Sequence, residues 1–203
     1  MRKLGIIDHH AGNLFSLENA LKILKIKYVI TNKEKILNKC SHLILPGVGA
    51  FSPAMKSLKK NKLDKYLIKA ANENRPILGI CLGMQLLFET SNEFGLHKGL
   101  SLIKGKVKNI HSQYNKIPII GWYKIDVNKK YFLGNFNDKY VYLVHSYECL
   151  VDNKNDIAAT YSLNKKKIIC AIQKKNIFAT QFHPEKSDFD GLDMLKSFLN
   201  YKQ

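Results

Sequence analysis

Ile77-Leu78-Gly79-Ile80-Cys81-Leu82-Gly83-Met84-Gln85 is the stretch on which the fold turns. Four apolar, strand-like residues run into a Gly-x-Cys-x-Gly pentad, and residues 84–88 begin a helical pattern. A buried strand that passes into a helix through a tight turn is the joint of a parallel α/β sheet, and the same unit recurs upstream. Leu4-Gly5-Ile6-Ile7 reads as a strand, and Leu14, Leu17, Leu21 and Leu24 follow at helical spacing. Tyr28-Val29-Ile30 and His42-Leu43-Ile44-Leu45 read as two further strands, and residues 54–72 as helix in one or two pieces. The alternation predicts a doubly wound, mostly parallel sheet with helices on both faces.

Downstream the pattern changes. Residues 107–110, 122–127, 141–144, 157–161, 168–172 and 177–181 are short, β-like and closely spaced. They predict hairpins and an antiparallel extension of the sheet in the C-terminal half. A last helix is expected from about residue 191 to 201, with Leu192, Leu195 and Leu199 on one face. No Pro/Gly-rich linker, internal repeat or low-complexity tract interrupts the chain, so residues 1–203 are expected to form a single α/β domain.

The composition narrows the function classes. With 45% hydrophobic and 24% charged residues, the chain reads as globular rather than disordered. Its apolar runs fall short of the roughly 20 residues of a membrane helix. Met1-Arg2-Lys3-Leu4-Gly5-Ile6-Ile7-Asp8 meets an acidic residue too early for a signal peptide, so a cytoplasmic location is expected. The net charge of +17 first suggests nucleic acid, but only Arg2 and Arg75 are arginine. Bidentate contacts to phosphate and guanine favour arginine, so the dispersed lysines are read as a solvated surface. Neither nucleic acid nor membrane is expected as a partner. The cysteines, Cys40, Cys81, Cys149 and Cys170, lack CxxC spacing and read as reduced thiols.

One cysteine has unusual neighbours. Gly-x-nucleophile-x-Gly where a strand meets a helix is a nucleophile elbow: it holds its central residue in a strained turn, and the small flanking residues avoid clashes. The helix start favours an anionic sulfur at Cys81, and the N–H of Leu82 is placed to stabilise an oxyanion. Gln181-Phe182-His183-Pro184-Glu185 follows a strand near the C-terminus. His183 and Glu185 are two residues apart, so one turn can present a base and the carboxylate that orients it. Pro46-Gly47-Val48-Gly49-Ala50-Phe51 ends another strand, and a peptide N–H there could complete an oxyanion hole. His9-His10 hints at a metal, but adjacent histidines in a strand-end loop are more simply read as exposed. With no metal cluster and no phosphate loop, no cofactor is expected.

These three elements, in this order, resemble the class I (triad-type) glutamine amidotransferases. Gly79-Ile80-Cys81-Leu82-Gly83-Met84-Gln85 and Phe182-His183-Pro184-Glu185 carry the resemblance. Within that family the chain is most similar to the glutaminase subunits of histidine biosynthesis. Support comes from Asp8, Ala11-Gly12-Asn13-Leu14, Gly121-Trp122, Val144-His145-Ser146-Tyr147 and Lys186-Ser187. The resemblance implies that glutamine is hydrolysed to glutamate and ammonia by a Cys81–His183–Glu185 triad, with Val48 and Leu82 forming the oxyanion hole. It implies a glutamine pocket of Gly49, Gln85, Glu93, Ser146 and Tyr147, and a heterodimer with a (β/α)8-barrel cyclase that receives the ammonia through a channel. Trp122 and Tyr123, a large aromatic pair beside a glycine, are expected at that interface.

One segment departs from the pattern. The family usually has a histidine before the Gly-Trp pair and an asparagine after it, where this chain reads Pro118-Ile119-Ile120-Gly121-Trp122-Tyr123. That leaves a second reading open, a paralogous glutaminase feeding a sugar amidotransferase in surface-glycan synthesis. A non-catalytic regulatory protein of the same fold and a hydrolase of another acyl substrate are the remaining alternatives.

Overall fold

The first half of the chain runs β1 (Leu4–Ile7), α1 (Phe15–Ile23), β2 (Tyr28–Thr31), α2 (Glu34–Leu37), β3 (His42–Leu45), α3 (Phe51–Lys60), α4 (Leu63–Asn72), β4 (Ile77–Ile80) and α5 (Leu82–Leu86). The second half is mostly strand: β5 (Phe88–Ser91), β6 (His97–Lys98), β7 (Ile103–Asn109), β8 (Ile119–Val127), β9 (Tyr140–His145), β10 (Tyr147–Val151), β11 (Ile157–Leu163), β12 (Lys166–Lys174) and β13 (Ile177–Thr180). It is closed by α6 (Asp188–Asn200). These elements come from a computed structural model that describes residues 3–10, 14–110, 117–128 and 131–201. Ala11-Gly12-Asn13 of the N-terminal motif lie outside the described residues.

The main sheet has nine strands in the order β2-β1-β3-β4-β13-β12-β11-β8-β9. From β2 to β13 every pairing is parallel. From β13 to β9 every pairing is antiparallel, which is the extension expected of the C-terminal half. The parallel strands β1, β3, β4 and β13 are buried along their whole length. Helices cover both faces, so these strands are near-continuous apolar runs rather than alternating ones, with His42 and Thr180 the buried polar exceptions at their ends.

The side chains sort by strand alternation. Leu43, Leu45 and Ile77 cluster with Leu58 of α3, Leu67 of α4 and Met84 of α5. Ile44, Leu78 and Ile80 face the other way, onto Leu17 and Leu21 of α1 and Leu195 and Phe198 of α6. A third cluster lies under the antiparallel half and gathers Ile125, Val141, Tyr161, Ile168, Phe182 and Met194.

Two expectations need correction. Residues 84–88 are not the start of a long helix: α5 ends at Leu86 and the chain turns into β5. The carbonyl of Leu87 accepts from both Leu102 and Ile103 N–H, which captures the backbone for a sheet. Phe88 and Thr90, residue types that suit a pleated surface, then pair with β7. The second correction is that β7 does not extend the main sheet. It belongs to a separate four-stranded sheet in the order β10-β7-β5-β6. The chain passes from one sheet to the other at Ser146, because His145 still pairs with Ile119 of β8 while Tyr147 already pairs with Asn109 of β7.

Candidate active site

The parallel pairing of β4 with β13 brings the motifs together. Ile80 is in register with Thr180, and Cys81 N–H donates to the Thr180 carbonyl at 2.7 Å. The residues that leave these two strands, Cys81 and Gln181, are therefore neighbours although a hundred positions separate them. Both lie at the carboxyl ends of parallel strands, where ligand sites of open α/β sheets form.

Cys81 has φ 54° and ψ −111°, an outlying conformation for a residue with a Cβ. The elbow is held by close backbone approach on both sides. A Cβ on Gly83 would sit 1.8 Å from the Leu45 carbonyl oxygen, and one on Gly79 would sit 2.7 Å from the Gly83 carbonyl oxygen. Only glycine fits at either position. Leu82 opens α5, so its N–H has no partner inside the helix and stands beside the cysteine.

His183 and Glu185 are both nearly buried, and His183 Nδ1 lies 2.7 Å from Glu185 Oε1. A carboxylate only accepts, so Nδ1 carries the proton and Nε2 is the nitrogen left for Cys81. Burial opposes a charge on His183. The hydrogen bonds to the Cys81 sulfur and the Glu185 carboxylate outweigh burial and raise the His183 pKa above its ordinary value. The Ser187 hydroxyl donates to the His183 carbonyl at 2.7 Å and accepts from Tyr142 N–H at 3.0 Å, which ties the turn to β9.

The cavity beside these residues has a volume of about 260 Å³. Cys81, Leu82 and His183 form one wall, and Val48, Gly49, Gln85, Glu93, Ser146 and Tyr147 line the rest. Every residue expected of the triad, the oxyanion hole and the glutamine pocket thus meets at one place, except Glu185, which stands behind His183. Glu93 also accepts from Phe51 N–H, the first residue of α3, at 2.5 Å.

The structure adds residues that carried no role in the sequence. Gln181 is buried; its Oε1 accepts from Gln85 Nε2 at 3.0 Å, so its own Nε2 faces the Cys81 sulfur at 3.8 Å. The signal was available, since a side chain two positions before His183 on extended backbone shares its face. His145 also lines the cavity. Its Nδ1 donates to the Tyr147 carbonyl at 2.8 Å and its Nε2 accepts from the Tyr161 hydroxyl at 3.0 Å. Burial lowers its pKa to about 4 and keeps it neutral. Nothing local in the sequence pairs residue 145 with residue 161.

Two sequence readings change. His10 is exposed, but its neighbour His9 is buried, with Nε2 donating to the Pro46 carbonyl at 2.6 Å. Of the aromatic pair on β8, Trp122 is 50% exposed and edges onto Tyr142. Tyr123 points the opposite way and packs on Tyr161, with ring centroids 5.0 Å apart. Strand alternation sends consecutive side chains to opposite faces, so only Trp122 presents an exposed ring.

The sequence profile Glutamine amidotransferase class-I matches residues 5–200. The chain belongs to the class-I glutamine amidotransferase family. Among curated members of that family, the imidazole glycerol phosphate synthase subunit HisH of Chlorobaculum tepidum is 43% identical over 198 residues, covering 97% of this chain and 98% of its own. The protein of the same name from Geobacillus sp. is 40% identical over 201 residues, covering 96% and 95%. Solved structures share the fold at low identity. A glutamine amidotransferase crystal structure superposes with a TM-score of 0.76 at 16% identity, covering 96% of this chain and 98% of its own. The PurLQS structure from Thermotoga maritima gives a TM-score of 0.76 at 20% identity and 98% coverage of each chain.

Proposed function

We propose that this chain is the glutaminase subunit of an imidazole glycerol phosphate synthase and supplies ammonia for histidine biosynthesis. The observation that carries this reading is that Cys81 and His183, the latter backed by Glu185, meet at a cavity that Gly49, Gln85 and Glu93 also line. Full-length similarity to the HisH subunits supports the pathway.

The chemistry follows from the placement of the groups. The Cys81 thiol passes its proton to His183 Nε2, its sulfur attacks the side-chain carboxamide carbon of glutamine, and the carbonyl oxygen takes the negative charge. The Leu82 N–H and a peptide N–H at Val48 or Gly49 stabilise that oxyanion. His183 gives its Nε2 proton to the departing nitrogen, the C–N bond breaks, and ammonia leaves a thioester on Cys81. His183 then takes a proton from water, which attacks the thioester and releases glutamate and the free sulfur. Glu185 keeps Nδ1 protonated throughout. Glu93 offers a negative charge for the amino group of glutamine, and Gln85 with the Ser146–Tyr147 backbone offers hydrogen bonds for its carboxylate end.

Ammonia free in neutral water is mostly ammonium and no nucleophile, so it must pass to its acceptor by a protected route. A (β/α)8-barrel cyclase docked over the cavity mouth provides one, with Trp122 rather than Tyr123 as the aromatic anchor at the joint. Among the described residues no helix is long and apolar enough to cross a membrane.

The test is glutamine turnover by the chain alone, with a histidine-pathway cyclase and its nucleotide substrate, and with a sugar amidotransferase. Stimulation by the cyclase supports the reading. Stimulation by the sugar enzyme alone moves the chain to the other pathway, and no turnover with either removes the glutaminase assignment.

A further inference from the structure

The segment that carries the second oxyanion N–H is fixed at both ends and free in the middle. At one end the Pro46 carbonyl accepts from His9 Nε2 at 2.6 Å, and at the other Phe51 N–H donates to Glu93 Oε2 at 2.5 Å. Between them Val48 is 41% exposed, and Gly49 has φ +93° with open space where a Cβ would stand. The orientation of the Val48–Gly49 peptide is therefore set by these anchors and by the close packing of buried Gly47 on Leu82 and Gly83, rather than by contacts around residues 48 and 49 themselves. Glu93 already belongs to the pocket. His9 lies outside the cavity lining and has no place in the mechanism above.

His9 is itself held on two sides. It is 2% exposed in the loop that follows β1. Its backbone carbonyl accepts from the Ser57 hydroxyl of α3 at 2.5 Å. A carbonyl oxygen offers no proton, so Nε2 must carry one, and the buried Nδ1 finds no partner among the described residues. A buried ring with one nitrogen satisfied and the other not is stable as the neutral Nε2–H form and binds a second proton only at a cost. Burial lowers the His9 pKa, ahead of the opposing effects of the Pro46 carbonyl and Asp8.

We infer that His9 is a positioning residue for the oxyanion segment: its Nε2–H holds the Pro46 carbonyl so that the Gly47–Gly49 backbone meets Cys81 in register. The inference rests on the glutaminase reading for its kinetic consequence and on geometry alone for its structural one. It assigns a task to a side chain that contacts neither glutamine nor the reacting atoms.

The experiment compares His9→Phe, which keeps the ring volume and removes the donor, with His9→Gln, whose amide nitrogen reaches the position of Nε2. Leaving the Pro46 carbonyl unpaired should lower partner-stimulated kcat about tenfold in His9→Phe, the loss expected of one buried hydrogen bond. The glutamine KM and partner affinity should stay within about twofold, and His9→Gln should recover most of the rate. In the free chain, the amide NMR signals of Gly47 and Gly49 should shift in His9→Phe and return towards wild type in His9→Gln, while those of β11 stay in place. Wild-type kcat in His9→Phe, or equal defects in both variants, overturns the inference. If His9→Phe does not fold, Ser57→Ala takes its place, because it releases the His9 carbonyl: an unchanged kcat together with unchanged Gly47 and Gly49 signals is then the overturning result. A wild-type protein that turns over no glutamine with any partner defeats the functional reading, and the NMR comparison still decides the role of His9.

Discussion

His183 Nδ1 lies 2.7 Å from Glu185 Oε1 although Pro184 alone separates the two residues. Pro184 opens a short 3-10 turn that swings the carboxylate back under the imidazole, and the Ser187 hydroxyl closes the turn on the His183 carbonyl. The second carboxylate oxygen, Oε2, is buried with no partner among the described residues. The charge of Glu185 is therefore spent almost wholly on His183.

That geometry predicts unequal losses. His183→Ala removes the proton carrier and should lower partner-stimulated glutamine turnover by roughly four orders of magnitude, as for a member of a catalytic unit. Glu185→Gln keeps the shape and removes the charge that fixes the tautomer, so it should fold normally and lose roughly a hundredfold or more in kcat. Steady-state kinetics with saturating partner measure both. A folded Glu185→Gln variant at wild-type rate shows that the turn is structural.

Cys81 should be the only thiol to react with an electrophilic glutamine analogue. Burial raises the pKa of Cys40, Cys149 and Cys170, with Cys149 and Cys170 the more deeply enclosed, and a protonated, enclosed thiol is a poor nucleophile. Peptide mapping by mass spectrometry reads the result. Cys81→Ser should lose the label and the turnover together, whereas label spread over the other three cysteines contradicts the assignment.

His145 makes stability depend on pH. Its folded pKa of about 4 lies below its ordinary 6.5, so the unfolded chain binds a proton between those values and the folded protein does not. Stability must then rise with pH through that window and fall on acidification. Between pH 8 and pH 5 the single group accounts for about 2 kcal/mol. His145→Gln should show a smaller drop in urea-unfolding free energy over the same interval, since every other group is common to both proteins. An identical drop in the two proteins refutes the assignment.

Gly49→Val should separate activation from binding. A Cβ at residue 49 meets nothing within 4 Å, so the fold has room for it. A β-branched residue at φ +93° is strained by about 1–2 kcal/mol, and the segment relaxes away from its native path. Partner affinity by calorimetry should change little, while the stimulated glutaminase rate falls at least tenfold. Full stimulation in this variant leaves Gly49 without a part in the oxyanion site.

Trp122→Ala tests the docking face. The ring is 50% exposed and lies beside Tyr142 at 6.0 Å, so its removal should leave the thermal midpoint nearly unchanged. As an interface anchor it should weaken partner binding by tenfold or more. Tyr123→Ala should do the reverse and destabilise the fold, because its ring packs inward on Tyr161. Wild-type partner affinity in Trp122→Ala places the interface elsewhere.

Much of this protein is local and was therefore legible in the sequence. The buried parallel strands are short apolar runs, and the elbow announces itself because two close backbone contacts leave room only for glycine at residues 79 and 83. His183 and Glu185 share a single turn, so their spacing already contains their hydrogen bond. What depends on contacts between distant strands was not legible. The register of Ile80 with Thr180 seats Gln181 against Cys81, and a packed core selects that register rather than any motif. The separate sheet of β10, β7, β5 and β6, the inward turn of Tyr123 and the Tyr161–His145–Tyr147 chain of hydrogen bonds arise the same way. His9 is the sharpest case: beside an exposed histidine it carries no signal, and only the approach of the β1 loop to Pro46 buries it and gives its Nε2 proton an acceptor.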